Sequence, residues 1–213
     1  SSFSLLASEP DTLSIPEDST MIIDSIEIRG NDITEKYIIL REMTVIAGDS
    51  VTNKIIEFNR ERIYSLDLFN FVNLHLEQKN DAITLVVAVD EGWYIWPIPF
   101  WNIREKDLSK STYGLNITIK NFRGRNETIR GSAGFGFDPF FFLSYSNPLI
   151  MAEEDLWMSV SGAFQKPSNK SPSAASIYGG NFDYKSASGG LAIGKRLNQF
   201  NNIFVIIGYG YIK

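Results

Sequence analysis

Apolar and polar residues alternate strictly in the second half of the chain. In residues 111–120 the apolar side chains Leu115, Ile117 and Ile119 are separated by Asn116 and Thr118. After a polar break the alternation resumes, and its apolar face comprises Ile129, Gly131, Ala133, Phe135 and Phe137. A period of two predicts β-strands with two unlike faces rather than a helix. One face is apolar and the other small, polar and rich in glycine, which fits either a soluble sheet packed on one side or a membrane barrel.

The same alternation predicts about six antiparallel strands in residues 111–213. Asp138-Pro139 ends the second strand, and a third begins at Phe140. Further strands are predicted at 156–164, 188–194 and 203–211. The longer strands approach the roughly 9–11 residues that a strand needs to cross a bilayer.

The first half of the chain carries a different pattern. Residues 22–28 are rich in isoleucine and predict a strand, which Gly30 closes in a turn. Two helices follow, the first ending near Met43 and the second capped by Thr52 or Asn53 and ending near Leu68. Two strands at 71–78 and 82–90 complete the segment. Strand, helix, helix, strand, strand is a compact α+β domain over residues 21–91.

Two segments outside these patterns are predicted to be connections. Residues 1–20 are polar, acidic and contain two prolines, which indicates an N-terminal linker or tail. Residues 92–110 are an aromatic, proline-rich linker, because alternate prolines exclude a helix and disfavour a central strand. Trp93, Trp96 and Trp101 in this linker suit either a membrane interface or packing on their own domain.

Composition removes several classes of function. The chain has no cysteine, so disulfide and thiolate metal chemistry are unavailable to these residues. Its net charge of −5 gives no reason to expect nucleic acid binding. His75 is the only histidine, so no nucleophile–base pair is recognisable and we expect no catalytic residue, metal site or cofactor.

The first domain resembles a POTRA domain in its β-α-α-β-β order and in three stretches of sequence. These are IEIRGND at the end of the first strand, AGD between the helices, and RIYSLDLFNFVNLHLE across the second helix and the next strand. A POTRA unit followed by amphipathic hairpins is similar to the Omp85 superfamily of BamA- and TamA-like outer-membrane proteins with a surface antigen D15-type barrel. Gly114, Asn121 and Gly124, followed by LSYSNP at 143–148, carry the resemblance into the second half.

This resemblance implies an α+β POTRA domain in the periplasm and antiparallel transmembrane β-barrel strands in the bacterial outer membrane. It implies the assembly and insertion of outer-membrane proteins without covalent chemistry. The partners would be unfolded outer-membrane protein clients, the lipid bilayer and periplasmic accessory proteins, with no nucleic acid.

Two sets of site residues follow from the resemblance. In POTRA domains a client adds a strand to an open sheet edge, and the candidate edge strand here comprises Phe71, Val72, Asn73, Leu74, His75 and Leu76. In insertases the first barrel strand forms a weak lateral seam. That seam would comprise Gly114, Leu115, Asn116, Ile117, Thr118 and Ile119.

Six strands are too few to close a barrel, and an open edge in lipid leaves main-chain groups unsatisfied. The sequence therefore predicts either a fragment of a longer barrel or one piece of a barrel shared between chains. Two other functions remain open at this point. One is a secretion translocator of the same superfamily, and the other is a soluble β-rich binding protein.

Overall fold

A computed structural model describes residues 11–13, 16, 19–79, 81–151, 154–168, 173, 176–177, 179, 184–198 and 201–213. The chain divides into two compact units, Ser1–Gly92 and Trp93–Lys213. Each unit contains its own sheet, and each is described by itself.

The first unit combines two helices with six strands. The helices are α1 (Lys36–Leu40) and α2 (Asn53–Tyr64). The strands are β1 (Asp11–Leu13), β2 (Met21–Ile22), β3 (Ser25–Arg29), β4 (Ser50–Val51), β5 (Phe69–Lys79) and β6 (Ala82–Glu91). The main sheet has the order β1-β5-β6-β3, in which β3 runs parallel to β6 and the other neighbours are antiparallel. This confirms the predicted α+β class.

Local sequence accounts for the helix start and for the first turn. Thr52 caps α2 by accepting the N–H of Ile55 at 3.3 Å, as its residue type predicts. Gly30 has φ of +84°, and a Cβ there would lie 2.0 Å from the carbonyl oxygen of Val89, so only glycine fits.

An apolar core holds the first unit together. Its fully buried members come from both helices and from the sheet, and they are Ile23, Ile38, Ile39, Val51, Ile63, Leu85, Val86 and Val87. One polar residue, Asn59, is buried among them. Its side-chain oxygen accepts the N–H of Thr44 at 2.6 Å and its amide donates to the carbonyl of Ile55 at 2.7 Å. Each buried polar atom of Asn59 therefore has a partner, which removes the penalty for its burial.

The second unit is a seven-stranded antiparallel meander. Its strands are β7 (Ile95–Ile103), β8 (Ser111–Phe122), β9 (Glu127–Gly136), β10 (Phe140–Met151), β11 (Leu156–Gln165), β12 (Ser186–Arg196) and β13 (Asn202–Ile212). Each strand pairs with the next along the chain, so β7 and β13 are the two edges. Six of these strands, β8–β13, lie in residues 111–213, which confirms the six strands that the alternation predicts there.

The two faces of this sheet differ as the alternation predicts. Leu115 lies opposite Ala133 and then Phe141 on the apolar face, while Asn116 lies opposite Ser132 on the other. The Ser132 hydroxyl donates to the Asn116 side-chain oxygen across that pair. Of the buried apolar residues in the described chain, Tyr94 alone belongs to this unit. The large sheet therefore has almost no core of its own.

Both predicted connections contribute strands, which corrects the domain boundaries. The linker predicted at 92–110 contains β7, so the sheet begins at Ile95 and has seven strands instead of six. Pro97 and Pro99 are tolerated because β7 is an edge strand, where a missing N–H can face away from the sheet. The tail predicted at 1–20 contributes β1, and most of the remaining tail lies outside the described residues.

Candidate functional site: open sheet edges

The direction of the main-chain groups on β5 follows from its neighbour β6. Asp24 donates its N–H to the carbonyl of Ile83 at 2.8 Å, so odd-numbered residues of β6 face β3. Even-numbered residues of β6 therefore face β5, and the register pairs Val86 with His75 and Ala88 with Asn73. Main-chain groups alternate in direction along a strand. The even-numbered residues of β5 consequently point away from β6.

Part of that outer side is already occupied. β1 pairs with Leu76–Gln78 of β5, and Val72 and Leu74 have no paired strand on this side among the described residues. Among the described residues, the predicted client-binding strand 71–76 therefore has an open outer edge as far as Leu74, and β1 pairs with its last residue, Leu76. Its side chains divide between the two faces of the sheet, since Val72 and Leu74 are buried whereas Phe71 and Asn73 are exposed.

A charged network borders this edge on the outer face of the sheet. Arg29 donates to both carboxylate oxygens of Glu77, at 2.8 and 2.9 Å, and the His75 ring nitrogen Nε2 lies 3.1 Å from the same carboxylate. The Arg29 hydrogen bonds hold the pKa of Glu77 below its usual range, with a smaller contribution from His75. Glu77 itself is buried, at 9% exposed.

The opposite edge of the small sheet is less suited to strand addition. β3 is five residues long, and Arg29 also pairs with Glu27 at 2.9 Å on that strand. Short strands and charged side chains are the features that protect sheet edges from added strands. Within the described part of this sheet, β5 offers the better edge.

The residues predicted as a lateral seam lie inside the large sheet. Gly114–Ile119 belong to β8, which pairs with β7 on one side and β9 on the other, so this segment has no free edge. Gly114 does not loosen the strand either. A Cβ there would lie 1.9 Å from the carbonyl oxygen of Ala133 and 2.8 Å from the Phe100 ring. Gly114–Ile119 therefore belong to the second strand of the described sheet and not to the first, because the sequence analysis took the preceding strand for a linker. Their role in a lateral seam stays a prediction.

Aromatic rings cover the glycines at this end of the sheet. The rings of Phe100 and Phe140 stack with centroids 5.8 Å apart, and a Cβ at Gly134 would lie 2.3 Å from the Phe140 ring. Glycine at 114 and 134 therefore makes room for the two rings. This packing fixes the register of the first four strands.

Within the described part of the large sheet, β7 is the first edge strand. Hydrogen bonds at both of its ends show which of its main-chain groups point towards β8. Lys120 donates its N–H to the carbonyl of Tyr94 at 2.7 Å, and Arg104 donates to the carbonyl of Lys110 at 3.2 Å. Even-numbered residues of this segment therefore bond to β8. The odd-numbered residues, Pro97 and Pro99 among them, point outward. Two prolines of equal parity in an apolar segment are a signal for an edge strand that could have been read from the sequence.

A buried carboxylate at the turn between β8 and β9 was also missed. Glu127 is 1% exposed, accepts two hydrogen bonds from Arg123 at 2.7 and 3.0 Å, and accepts a third from Asn147 of β10 at 3.3 Å. Asn121 and Gly124 have positive φ and form the turn. The cluster ties the turn between β8 and β9 to β9 and β10 at one end of the sheet. Its signal in the sequence was the spacing of Asn121 and Gly124.

The described residues contain no group of three or more acidic or histidine side chains arranged to hold a metal ion. Within the same residues, no helix is both long and apolar enough to cross a membrane.

Comparisons with known proteins agree with this architecture. Residues 21–92 match the POTRA family, described as a surface antigen variable number repeat. The solved structure of BamA from Haemophilus ducreyi lacking POTRA domains 1–3 matches with a TM-score of 0.67 at 16% identity. That match covers 96% of this chain and 40% of the BamA chain. The structure of CdiB from Acinetobacter baumannii matches with a TM-score of 0.47 at 14% identity, over 89% of this chain and 38% of that one. No curated protein sequence matches the chain.

These comparisons show the fold. Residues 21–92 match the POTRA family, and the large sheet has the fold of part of the BamA barrel. It spans less than half the length of the two solved structures.

Proposed function

We propose that this chain, a POTRA domain joined to a BamA-like sheet, is part of an Omp85-type factor that assembles outer-membrane proteins. It binds extended client strands at open sheet edges, through main-chain hydrogen bonds, and passes them into the membrane. The POTRA domain lies in the periplasm and the seven-stranded sheet in the outer membrane.

The observation that carries the proposal is the exposed apolar face of the large sheet. Leu143, Phe141 and Phe164 lie on this face and are exposed, together with Val205 and Ile207 of β13. Soluble proteins rarely leave an apolar surface of this extent uncovered. Strands of 10 to 12 residues in β8–β13 match the length that a tilted strand needs to cross a bilayer.

The opposite face of the large sheet also supports a position in the membrane. It carries Asn116, Ser132 and Ser161 among glycines, which suits contact with water inside a barrel. A lipid-facing and a water-facing side on one sheet is the arrangement of an outer-membrane barrel wall.

The open edge of β5 supports client binding. The outward main-chain groups of Val72 and Leu74 have no paired strand within the described residues, and such groups provide affinity without demanding a client sequence. A factor that serves many clients requires this kind of recognition, in which the backbone rather than particular side chains makes the bonds.

Single-cysteine crosslinking tests the proposal, because the chain has no cysteine of its own. Asn73→Cys places a thiol on the exposed face of β5, and Thr84→Cys is the matched control on the central strand β6. In the intact protein in cells, we expect Asn73→Cys to crosslink to several unfolded outer-membrane proteins and Thr84→Cys to crosslink far less.

Two other outcomes would change the assignment. Equal crosslinking at both positions would argue against client binding at this edge. Crosslinking at Asn73→Cys to a single secreted partner would replace insertion by secretion through the same fold.

A further inference from the structure

The first described strand, β1, occupies part of the β5 edge to which clients are proposed to bind. It pairs antiparallel with residues 76–78, with Leu13 opposite Leu76 and Asp11 opposite Gln78. The even-numbered residues of β5 point their main-chain groups away from β6, so these two pairs are the ones that exchange hydrogen bonds across the ladder. The main-chain groups of β1 therefore take the place that a client backbone would take.

The open part of this edge is shorter than the strands of the proposed clients. The regular register of β5 with β6 runs from Phe71 to Lys79, after a bulge, and β1 pairs with it from Leu76 onward. A strand of an outer-membrane protein needs roughly 9–11 residues to cross a bilayer. A client strand of that length therefore cannot pair along the whole regular edge of β5 unless β1 leaves it.

A turn after β1 limits the segment of the chain that can pair with its own edge. The carbonyl of Pro16 accepts the N–H of Ser19 at 3.1 Å and its hydroxyl at 2.8 Å, a contact between residues three apart that an extended strand does not make. β2 then begins at Met21 in a different sheet. Because the connection is short, β1 stays close to the edge of β5 even when it is unpaired.

The pairing of β1 is weak enough to yield to a longer strand. β1 has three residues, and the net gain from a main-chain hydrogen bond is of the same order as the entropy lost when one residue is ordered. The Leu13 side chain is only partly buried, so apolar burial adds little. A client strand that pairs along residues 71–79 makes more hydrogen bonds than β1 does and can displace it.

We propose that β1 is a built-in competitor for the client-binding edge, a strand of the chain's own that covers part of β5 until a longer client strand displaces it. This inference rests on the proposed function and specifies how access to its site is regulated. Short extended segments reach the edge only as far as Leu74, whereas the long strands of unfolded outer-membrane proteins gain the whole edge. β1 therefore favours long clients over short ones.

A reversible disulfide between β1 and β5 tests the competition. In the intact protein in cells, a photocrosslinking amino acid in place of Asn73 reports client pairing. Asp11→Cys with Gln78→Cys then fixes β1 on the edge, because directly opposite residues lie within the span of a disulfide and the chain has no other cysteine. The disulfide should lower client crosslinking about threefold or more, and reductant should restore it. The single variant Gln78→Cys is the control for the reductant.

Releasing β1 should have the opposite effect. Leu13→Pro removes the N–H that faces Leu76, and Leu13→Ala shortens the same side chain while keeping that N–H. Client crosslinking at position 73 should rise about threefold or more in Leu13→Pro, because the edge is then free more of the time, and much less in Leu13→Ala. Helical circular dichroism of the purified variants checks that the first unit is folded.

The outcomes separate this inference from the proposed function. If position 73 crosslinks no client in any variant, client binding at this edge fails and the inference fails with it. If clients crosslink equally with the disulfide formed and reduced, β1 is not a competitor, and the inference is overturned while client binding stands. A fall in crosslinking in Leu13→Pro would show that β1 helps to hold the client, which also overturns the inference.

Discussion

The two larger sheets of this chain share an alternating pattern, but their apolar faces differ in what covers them. In the small sheet, Leu85 is fully buried and Val72 is 2% exposed, beneath a layer of helices. In the large sheet, the equivalent apolar positions are open, and Leu143 is 62% exposed. Alternation by itself therefore does not decide what covers a sheet. The apolar face of the small sheet is covered by the protein's own helices, whereas on our proposal the apolar face of the large sheet is covered by lipid.

The difference has an energetic consequence. The first unit gains stability from apolar burial within the chain. The second relies on the hydrogen-bonded ladder, on ring–glycine packing and on the Glu127 cluster. The predictions below test this contrast, from the largest expected effect to the smallest.

Truncating a buried apolar side chain should destabilise the first unit strongly, whereas truncating an exposed one on the large sheet should change stability little. Leu85→Ala should lower the free energy of unfolding of the first unit by about 2–5 kcal/mol, because it leaves a cavity in a packed core. Leu143→Ala, on the open face, should change the stability of the protein in detergent much less. The helices α1 and α2 contain most of the described helical residues and belong to the first unit, and all four tryptophans belong to the second. Helical circular dichroism in denaturant therefore reports mainly the first unit, and tryptophan fluorescence reports the second. Equal losses in the two variants would contradict the contrast.

The Glu127 cluster should matter more than an exposed ion pair on the same sheet. Glu127→Ala leaves the Asn147 amide and Arg123 without their acceptor, and should destabilise the second unit by about 1–3 kcal/mol. Glu154→Ala is the matched control, because Glu154 pairs with Lys195 at the surface and its loss should have little effect. The measurement is the denaturation midpoint by tryptophan fluorescence in detergent. A similar shift in both variants would show that burial of Glu127 is unimportant.

Glycines under aromatic rings should resist substitution, whereas open glycines should not. Gly134→Ala forces the Phe140 ring to move and should cost about 1–3 kcal/mol. Gly208→Ala meets nothing closer than 3.6 Å, so we expect a neutral or slightly stabilising change. Thermal unfolding in detergent compares the two. If Phe140→Leu relieves the Gly134→Ala defect, the ring contact is its cause.

The smallest expected effect concerns the pH dependence of the first unit. Because the pKa of Glu77 is lowered in the folded state, chiefly by Arg29, its contribution is present at neutral pH. It is lost as the pH falls below the usual glutamate range towards the lowered pKa. Arg29 is partly exposed, so the contribution should stay below about 1 kcal/mol. Denaturation of wild type and Glu77→Gln between pH 7 and 3 should converge at low pH, and a constant difference would rule out this linkage.

Local signals in the sequence predicted much of the fold because they depend on neighbouring residues. The cap at Thr52, the turn at Gly30 and the alternation in β8 and β9 all lie within a few positions along the chain. The Omp85 resemblance then followed from the order of these elements. The client-binding edge at Phe71–Leu76 stays a prediction; these residues lie on β5, which among the described residues pairs with β1 only from Leu76 onward.

The edges themselves required the tertiary structure. Pro97 and Pro99 disfavour a central strand, and the edge strand that the same two prolines allow was taken for a linker. The segment 114–119 was therefore taken as the first strand of the sheet, although it is the second. Likewise, nothing near Glu77 in the sequence indicates Arg29, which lies 48 residues away.

The sequence by itself thus determined which segments are strands and helices and which face of each is apolar. The tertiary structure decided which strand is the edge, which groups on that edge are free, and which carboxylates are buried. Periodicity is a property of adjacent residues, whereas strand order and register arise from pairing between distant segments. For this chain the proposed function depends on strand edges, and the order of the strands that creates those edges came only from the pairing.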